Sequence, residues 1–267
     1  IPELSENLIR LLVAIQADGT LSKDCSAIQF GLYKKRKIER LDSILNSLNL
    51  KHIKRYIPIR EDQKATLDGY SYRINACDVT ILLRSFLEED KSFKNILLNM
   101  SEDQVNVFLN EIPLWDGTLL DNSTFVLDTT NLKVRDFVQT LLHLNEQKGF
   151  GGSYVKKNKS FNGVSEVDCL IHRVSQSKRN PFVSTSSFDI INEYSEEMVG
   201  CVSVPSSYIM VKQENNIFIS GNCLSSDTEI LTENGWIDYK SITPDTFVCQ
   251  WSKNSNELSY VKPLNII

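Results

Sequence analysis

The chain has 267 residues, of which 41% are hydrophobic and 24% are charged, and its net charge is −5. This composition is ordinary for a folded globular protein and excludes a low-complexity or fibrous chain. No apolar run approaches the roughly 20 residues that a membrane-spanning helix needs, and no signal peptide is visible. We therefore expect an intracellular, cytoplasmic protein without a membrane partner.

The charges are separated along the chain. Residues 1–60 and 148–186 each carry a net charge of +5, whereas residues 61–147 carry −8 and residues 187–267 carry −7. Two basic regions in an acidic chain indicate a localised surface for a polyanion. The six cysteines follow no CxxC spacing, so the sequence predicts neither a zinc site nor a dense disulfide framework.

The first predicted element is a buried helix over residues 5–19, which read SENLIRLLVAIQADG and end at a glycine. Asp18 falls at the C-terminal end of this helix, where the helix dipole is unfavourable for an anion. A nearby cation would offset this cost. The alternative is that Asp18 and Gly19 only form a turn.

A second, looser copy of this pattern reads LNEIPLWDG and ends at Asp116 and Gly117. Pro113 lies within it and is expected to disturb the helix. The segments that follow the two copies align at an offset near 96 residues, which pairs Lys37 with Lys133 and Leu41 with Phe137. Each half is therefore predicted to contain a motif helix, a β-ribbon, an amphipathic helix and further strands.

The letters LLVAIQADG resemble the LAGLIDADG motif of homing endonucleases, with matches at Leu11, Ile15, Ala17, Asp18 and Gly19. The resemblance implies an α+β fold for residues 1–187, in which a duplicated αββαββα-type unit forms a monomeric pseudo-dimer. It also implies that the two motif helices pack at the centre. Their terminal acids, Asp18 and Asp116, would then be catalytic and hold Mg²⁺ at the scissile phosphates of double-stranded DNA.

The same resemblance implies β-ribbons that arch over the DNA major groove. Basic residues with interleaved aromatics occur in the two regions where ribbons are expected, residues 34–60 and 149–179. The alternative for residues 34–40 is a solvated helix face. The predicted DNA-binding residues are Lys34, Lys35, Arg36, Lys37, Lys54, Arg55, Arg60, Lys156, Lys157 and Lys159.

A different chemistry is indicated at Asn222 and Cys223. An asparagine side chain can cyclise onto its own backbone carbonyl and cut the chain, and a cysteine thiol can attack an acyl group. Short β-rich runs flank the pair on both sides, including VGCVSVP, YIMVKQ and NIFISGN before it and a strand, turn and strand after it. The two residue types together can carry acyl transfer and backbone cleavage.

These flanks resemble the self-splicing Hint domain of an intein. The resemblance assigns residues 188–267 to a mostly β Hint domain, with the C-terminal splicing block, 198–222, placed before the N-terminal block, 223–267. This order is permuted relative to an intein. The implied catalytic residues are Cys223, Asn222 and Cys201, the last standing where many relatives carry an aspartate. A host protein, or extein, would flank such a domain.

The splicing chemistry is expected to be impaired. The resemblance calls for a TxxH histidine in the first splicing block, and residues 223–267 contain no histidine. Gly221 also stands where many inteins have a histidine. Cyclisation of Asn222 would then only break the chain between residues 222 and 223.

Three interpretations follow from these patterns. The first is an intein-derived protein that combines self-splicing with site-specific cleavage of double-stranded DNA, in permuted or fragmentary form. The second is a DNA-binding module of the same fold that does not cleave. The third, a hydrolase that uses Cys223 with a histidine, is disfavoured because no motif places a histidine beside that cysteine.

Overall fold

The computed structural model describes most of the chain, namely residues 1–58, 68–120, 124–145, 147–157, 168–177, 199–221, 223–255 and 257–267. Within these ranges the protein is a mixed chain of helices and strands that divides into two compact units, 1–134 and 135–267. No described helix has the length and apolar character needed to cross a membrane. The predicted sites Arg60, Lys159 and Asn222 and the predicted domain boundary at 187/188 lie outside the described residues.

The described residues of the first unit include four complete α-helices and six strands. The helices are α1 (Glu6–Asp18), α2 (Lys35–Ser47), α3 (Asp78–Ser85) and α4 (Glu102–Trp115). The strands are β1 (Gly19–Leu21), β2 (Ala27–Leu32), β3 (Ile53–Ile57), β4 (Gly69–Asn75), β5 (Gly117–Leu119) and β6 (Phe125–Thr129). Strands β1 to β4 form an antiparallel sheet in the order β1-β2-β4-β3, and β5 pairs with β6.

Helix α1 confirms the first prediction, because it begins after Ser5 and ends at Asp18. Its central residues, Leu11 to Ile15, are completely buried. A helix that is apolar on all sides requires neighbours on all sides. Helix α1 accordingly packs against α4, α2 and the inner face of β2.

The prediction that residues 34–40 belong to a β-ribbon is wrong. Residues 35–47 form helix α2, because Leu41, Ile44 and Leu45 recur at helical spacing and are all buried. The ribbon interpretation holds for β3, which carries Lys54 and Arg55.

The expectation that Pro113 disturbs the second motif helix is also wrong, since α4 continues through Pro113 to Trp115. A proline in the last turn removes a single amide hydrogen bond. The burial of Phe108, Ile112 and Trp115 on the same helix offsets that loss.

The second unit consists of most of α5 (Leu132–Leu144) and ten strands. The strands are β7 (Lys148–Lys157), β8 (Asp168–Ser177), β9 (Val202–Ser203), β10 (Ile209–Gln213), β11 (Asn216–Ser220), β12 (Thr228–Thr232), β13 (Gly235–Asp238), β14 (Val248–Ser252), β15 (Glu257–Val261) and β16 (Asn265–Ile266). Strands β7 and β8 form an antiparallel hairpin. The order helix, two strands, helix, two strands thus occurs twice along the chain, first from α1 to β4 and then from α4 to β8.

The predicted β-rich runs on both sides of residue 222 are confirmed as strands. Strands β10 to β15 form one antiparallel sheet, and β9 pairs with β16. The core of this part contains Val204, Ile209, Val211, Leu224, Ile230, Tyr239, Ile242 and Val248. It draws on strands from both sides of the junction at residues 222 and 223, so the two segments fold together.

Candidate functional site

The two acids predicted to be catalytic both stand where a packed helix ends. Asp18 is the last residue of α1, and Asp116 is the C-cap of α4. Each is followed by a glycine that lies against its own helix. A Cβ on Gly19 would lie 2.7 Å from the carbonyl oxygen of Ile15, and one on Gly117 would lie 2.7 Å from the Cα of Pro113.

Lys37 joins the two carboxylates. Its Nζ lies 2.5 Å from Asp18 Oδ2 and 3.3 Å from Asp116 Oδ1, and the residue is 7% exposed. A cation therefore lies beside Asp18, and Gly19 begins strand β1 instead of forming only a turn. Lys37 was predicted to bind DNA, but the first turn of α2 places it in a largely buried position.

A second lysine, Lys91, lies at the end of α1 and was missed by sequence reasoning. Its Nζ donates hydrogen bonds to the carbonyl oxygens of Gln16, at 3.1 Å, and Gly19, at 2.8 Å. Burial lowers the pKa of Lys91, and the carboxylates of Asp116 and Asp18 oppose that shift. Lys91 belongs to no sequence motif, so only the folded chain brings it to this site.

A buried carboxylate supports the end of α4. The side chain of Glu111 is 2% exposed, accepts a hydrogen bond of 2.8 Å from Trp115 Nε1 and is held by two nitrogens of the Arg40 guanidinium. These contacts raise the pKa of Arg40. The α2–α4 interface that presents Lys37 and Asp116 is therefore fixed by a charged network one turn away.

The carboxylate oxygens at the two helix ends are ligands of the type that binds Mg²⁺. Mg²⁺ is commonly held by one or two carboxylates, with waters and substrate phosphates completing its ligands. Asp18 and Asp116 supply two carboxylates within reach of one ammonium. Among the described residues, no group of three acidic, histidine or cysteine side chains is placed to hold a metal ion.

The outer face of the first sheet carries Arg55, Arg73 and Gln29. Gln29 is paired with Arg73, and Arg55 lies opposite Ser71. Alternation along a strand puts these side chains on the face opposite the buried Tyr72 and Ile74. Arg73 and Gln29 were not among the predicted DNA-binding residues.

Lys54 lies on the other face of the same strand. Its ammonium is 2.6 Å from Asp42 Oδ2 and packs over the rings of Tyr70, at 4.5 Å, and Tyr72, at 5.3 Å. Lys54 and Arg55 were predicted together. Because Lys54 and Arg55 are adjacent on a strand, their side chains point to opposite faces of the sheet and have different partners.

The basic residues at the start of α2 have separate surroundings. Lys34 and Lys35 are exposed, and Lys35 lies 3.7 Å from Glu39 in an ion pair on its own helix. The Arg36 guanidinium donates a hydrogen bond to the carbonyl oxygen of Leu114 at the C-terminal end of α4. That position suits a cation, because the helix dipole is negative there.

In the second unit, the outward face of the β7–β8 hairpin combines aromatic and basic side chains. Arg173 packs 5.0 Å over the ring of Tyr154, and Lys148 packs 4.6 Å over the ring of Phe150. Lys156 follows Tyr154 on the same face. Lys157 falls on the opposite face, whose buried part includes Val174 and His172.

Cys201 and Cys223 are adjacent in space. The Sγ atoms of Cys201 and Cys223 lie 2.6 Å apart. Gly200 and Leu224 exchange backbone hydrogen bonds of 3.0 and 2.7 Å beside them. The structure thus brings together two of the three residues predicted for acyl chemistry.

Glycines hold the backbone on both sides of this pair. A Cβ on Gly221 would lie 2.7 Å from the carbonyl oxygen of Ser207, and one on Gly200 would overlap the ring of Tyr239 at 2.0 Å. The close approach of Ser207 excludes a histidine at position 221 without movement of the backbone. Local packing therefore explains why position 221 is a glycine.

A TxxH spacing does occur in the chain, at Thr140 and His143, but within helix α5. The Thr140 hydroxyl donates a hydrogen bond of 2.7 Å to the carbonyl oxygen of Asp136 in the same helix. Burial lowers the pKa of His143. This histidine lies in helix α5 and not within residues 223–267, where the splicing block was predicted.

No family model matches the sequence. A curated relative, the ribonucleoside-diphosphate reductase subunit beta of Aquifex aeolicus (strain VF5), is 25% identical over 226 residues, which cover 80% of this chain and 30% of that protein. The chain therefore spans less than a third of the length of this relative.

Two kinds of solved structure are similar to the chain. Mesophilic variants of the homing endonuclease I-DmoI align with a TM-score of 0.39 and 11% identity, covering 65% of this chain and 89% of that one. The N-terminal LAGLIDADG domain of DUF199/WhiA aligns with a TM-score of 0.41 and 12% identity, covering 66% of this chain and 78% of that one.

Proposed function

We propose that this chain is a DNA endonuclease of the LAGLIDADG type. One observation carries the proposal: Asp18 and Asp116, far apart in sequence, end two packed helices and share the ammonium of Lys37. Two carboxylates brought to a single site supply the oxygen ligands that metal-assisted hydrolysis of a phosphodiester uses. The repeated order of elements supports the duplication.

Asp18 and Asp116 are the residues that would hold Mg²⁺ in this proposal. A divalent ion supplies charge neutralisation at the scissile phosphate and activation of water. Lys37 positions both carboxylates and adds a positive charge for the phosphate. Lys91 fixes the end of α1 and contributes a second cation near the same acids.

The outward faces of the strands would bind the DNA duplex. Arg55 and Arg73 supply cations on the first unit, and Lys156 and Arg173 do so on the second. Exposed arginines and lysines contact phosphates, and the arginine fork can also read base edges in the major groove. The carbonyl oxygen of Leu114 holds the Arg36 guanidinium and the carboxylate of Asp42 holds the Lys54 ammonium, so we give these two residues structural roles.

A non-cleaving DNA-binding module is the alternative, and the double ion pair of Lys37 favours it. An ammonium between two carboxylates occupies the position in which a metal would compete for the same oxygens. A module that only binds DNA would keep this ion pair closed.

Cleavage of a random-sequence duplex library in the presence of Mg²⁺, followed by sequencing of the cut ends, separates the two possibilities. We expect the chain to yield a recurrent cut site. The Asp18→Asn and Asp116→Asn variants should bind the selected duplex without cutting it. Binding of the library without any recurrent cut by the unmodified chain would favour the alternative.

We further propose that the β unit derives from a self-splicing domain in which Cys223, Asn222 and Cys201 are the reactive residues. The support is the contact of Cys201 with Cys223 and a core shared by the segments on both sides of residue 222. The host segments on either side would be the exteins.

The splicing part is tested by the intact mass of the chain over time at neutral pH with a reducing agent. Cyclisation of Asn222 should give fragments 1–222 and 223–267, and the Asn222→Ala variant should give none. An unchanged mass in both proteins would show that the junction is inert and would leave the endonuclease proposal untouched.

A further inference from the structure

The contact between Cys201 and Cys223 is fixed by the backbone around it. Gly200 and Leu224 exchange two backbone hydrogen bonds and so form a hydrogen-bonded antiparallel pair. The next residues along each segment, Cys201 and Cys223, must then lie opposite each other in a non-hydrogen-bonded pair. Both backbone groups of Cys201 bond instead to Ile267, at 2.8 and 2.9 Å.

This register suits a covalent bond between the two sulfurs. A non-hydrogen-bonded antiparallel pair has Cα atoms about 4.5 Å apart, and disulfides span Cα separations of about 4.4 to 6.8 Å. The Sγ atoms are already 2.6 Å apart as free thiols. A bond between them therefore needs little movement of the backbone.

We propose that Cys201 and Cys223 form a thiol–disulfide exchange site, which closes to an intramolecular disulfide when it meets a low-molecular-weight disulfide such as oxidised glutathione. Cys223 is the more exposed of the two thiols, so its sulfur attacks first. The S–S bond of glutathione breaks, one glutathione thiolate leaves, and a mixed disulfide forms at Cys223.

The second step completes the exchange. Cys201 loses its proton and attacks the Cys223 sulfur of the mixed disulfide, and the second glutathione leaves. Two electrons pass from the cysteine pair to glutathione, and two protons go to the departing thiolates. The hydrogen bond to Cys223, together with burial, raises the pKa of Cys201, consistent with its role as the second nucleophile.

One consequence rests on the proposed splicing chemistry. The disulfide spans the junction between residues 222 and 223, so a chain broken there by Asn222 would remain covalently joined until it is reduced. Formation of the disulfide itself does not depend on any cleavage. The two events can therefore be measured separately.

The test equilibrates the full chain in buffers of graded reduced-to-oxidised glutathione ratio. Acid quenching, alkylation of the remaining thiols, tryptic digestion and mass spectrometry then map the bonds. Trypsin cuts after Lys212, between the two cysteines, so a linked pair of peptides reports the disulfide directly. The Cys201→Ser variant tests whether Cys201 is the partner of Cys223 in the disulfide. The Cys25→Ser variant controls for the loss of an exposed thiol elsewhere.

We expect the wild-type chain and Cys25→Ser to lose two hydrogen atoms and give peptides linked through Cys201 and Cys223. The Cys201→Ser variant should instead keep a glutathione adduct on Cys223. A wild-type chain that carries glutathione on Cys223, or alkyl labels on both cysteines, in oxidising buffer would overturn the proposal. The wild-type result stands even if a variant folds poorly, and fragments 1–222 and 223–267 in the reduced sample report the splicing chemistry independently.

Discussion

The ammonium of Lys37 lies 2.5 Å from the carboxylate of Asp18, at the point where helix α1 ends. The same ammonium reaches Asp116 at 3.3 Å, so one cation compensates two carboxylates at the end of two packed helices. The Lys37→Met variant should leave these carboxylates without the ammonium that bridges them. We expect it to lower the free energy of unfolding by about 1 to 2 kcal/mol, because the bridging ammonium is buried while the two carboxylates are 26% and 40% exposed.

Divalent ions provide the check on this prediction. If the two carboxylates form a metal site, Ca²⁺ should raise the melting temperature of Lys37→Met more than that of the wild type, because the competing ammonium is gone. The Lys35→Met variant is the matched control, since the Lys35 side chain is 88% exposed on the same helix. An equal response to Ca²⁺ in all three proteins would argue against a metal site between Asp18 and Asp116.

Arg55 and Lys54 are neighbours on β3 and should behave differently towards DNA. Arg55→Ala removes a cation from the outward face, so it should weaken binding to a random-sequence duplex severalfold and reduce the salt dependence by about one ion. Lys54→Ala removes the partner of Asp42 and should change stability with little effect on the salt dependence. Fluorescence anisotropy at several salt concentrations measures both, and equal slopes for the two variants would contradict the assignment of faces.

Much of the first unit could be predicted from local patterns. Helix α1 was predictable because an apolar run ends at Asp18 and Gly19, and the offset of 96 residues aligned α2 with α5. The position of Lys37 could not be predicted, because it depends on how α2 crosses the ends of α1 and α4. Its counterpart in the alignment, Lys133, is 70% exposed, so the duplication does not extend to the charges of the site.

Other residues gave no usable signal in the sequence. Lys91 reaches the end of α1 from a loop that follows α3, and this contact is set by tertiary packing alone. In the sequence, adjacent basic residues such as Lys54 and Arg55 look like a single basic cluster. In the strand, however, their side chains point to opposite faces of the sheet. By contrast, the strands around residue 222 could be predicted, because short β-rich runs between turn residues are a local signal.

Gly19 should be intolerant of a side chain. A Cβ at this position would lie 2.7 Å from the carbonyl oxygen and 2.8 Å from the Cα of Ile15, so Gly19→Ala must shift β1 away from the helix end. We expect a destabilisation of about 1 to 3 kcal/mol and a displaced Asp18. Gly31 on β2 is the control, because its Cβ would meet nothing within 4 Å.

Thermal unfolding of the two alanine variants compares these positions. Gly31→Ala should be neutral or slightly stabilising, because alanine restricts the unfolded chain. The displacement of Asp18 should also weaken the response of Gly19→Ala to Ca²⁺. Equal stability of Gly19→Ala and Gly31→Ala would show that β1 can adjust without cost.

Glu111 should contribute strongly to the stability of the first unit. Its carboxylate is 2% exposed and is held by Arg40 and Trp115, so Glu111→Gln leaves the Arg40 guanidinium without its counter-charge. We expect a loss of roughly 2 to 4 kcal/mol in urea unfolding, less than for a fully buried pair because the Arg40 side chain is 33% exposed. Glu39→Gln, on an exposed pair with Lys35, should change stability by less than about 1 kcal/mol.

Cys249 should make the stability of the second unit depend on alkaline pH. Burial raises the pKa of this thiol from 9.0 to about 12, so between these values the folded chain keeps a proton that the unfolded chain has lost. The contribution is therefore complete below pH 9 and declines as the pH rises towards 12, by up to about 1.4 kcal/mol per unit. Urea unfolding at pH 7, 9 and 10 under reducing conditions measures the decline.

The Cys249→Ala variant is the control for this prediction. It should be less stable at pH 7 because a buried thiol is removed, yet its stability should fall less steeply above pH 9. Parallel curves for the two proteins would show that the thiol ionises equally in the folded and unfolded chains, contrary to its burial in β14.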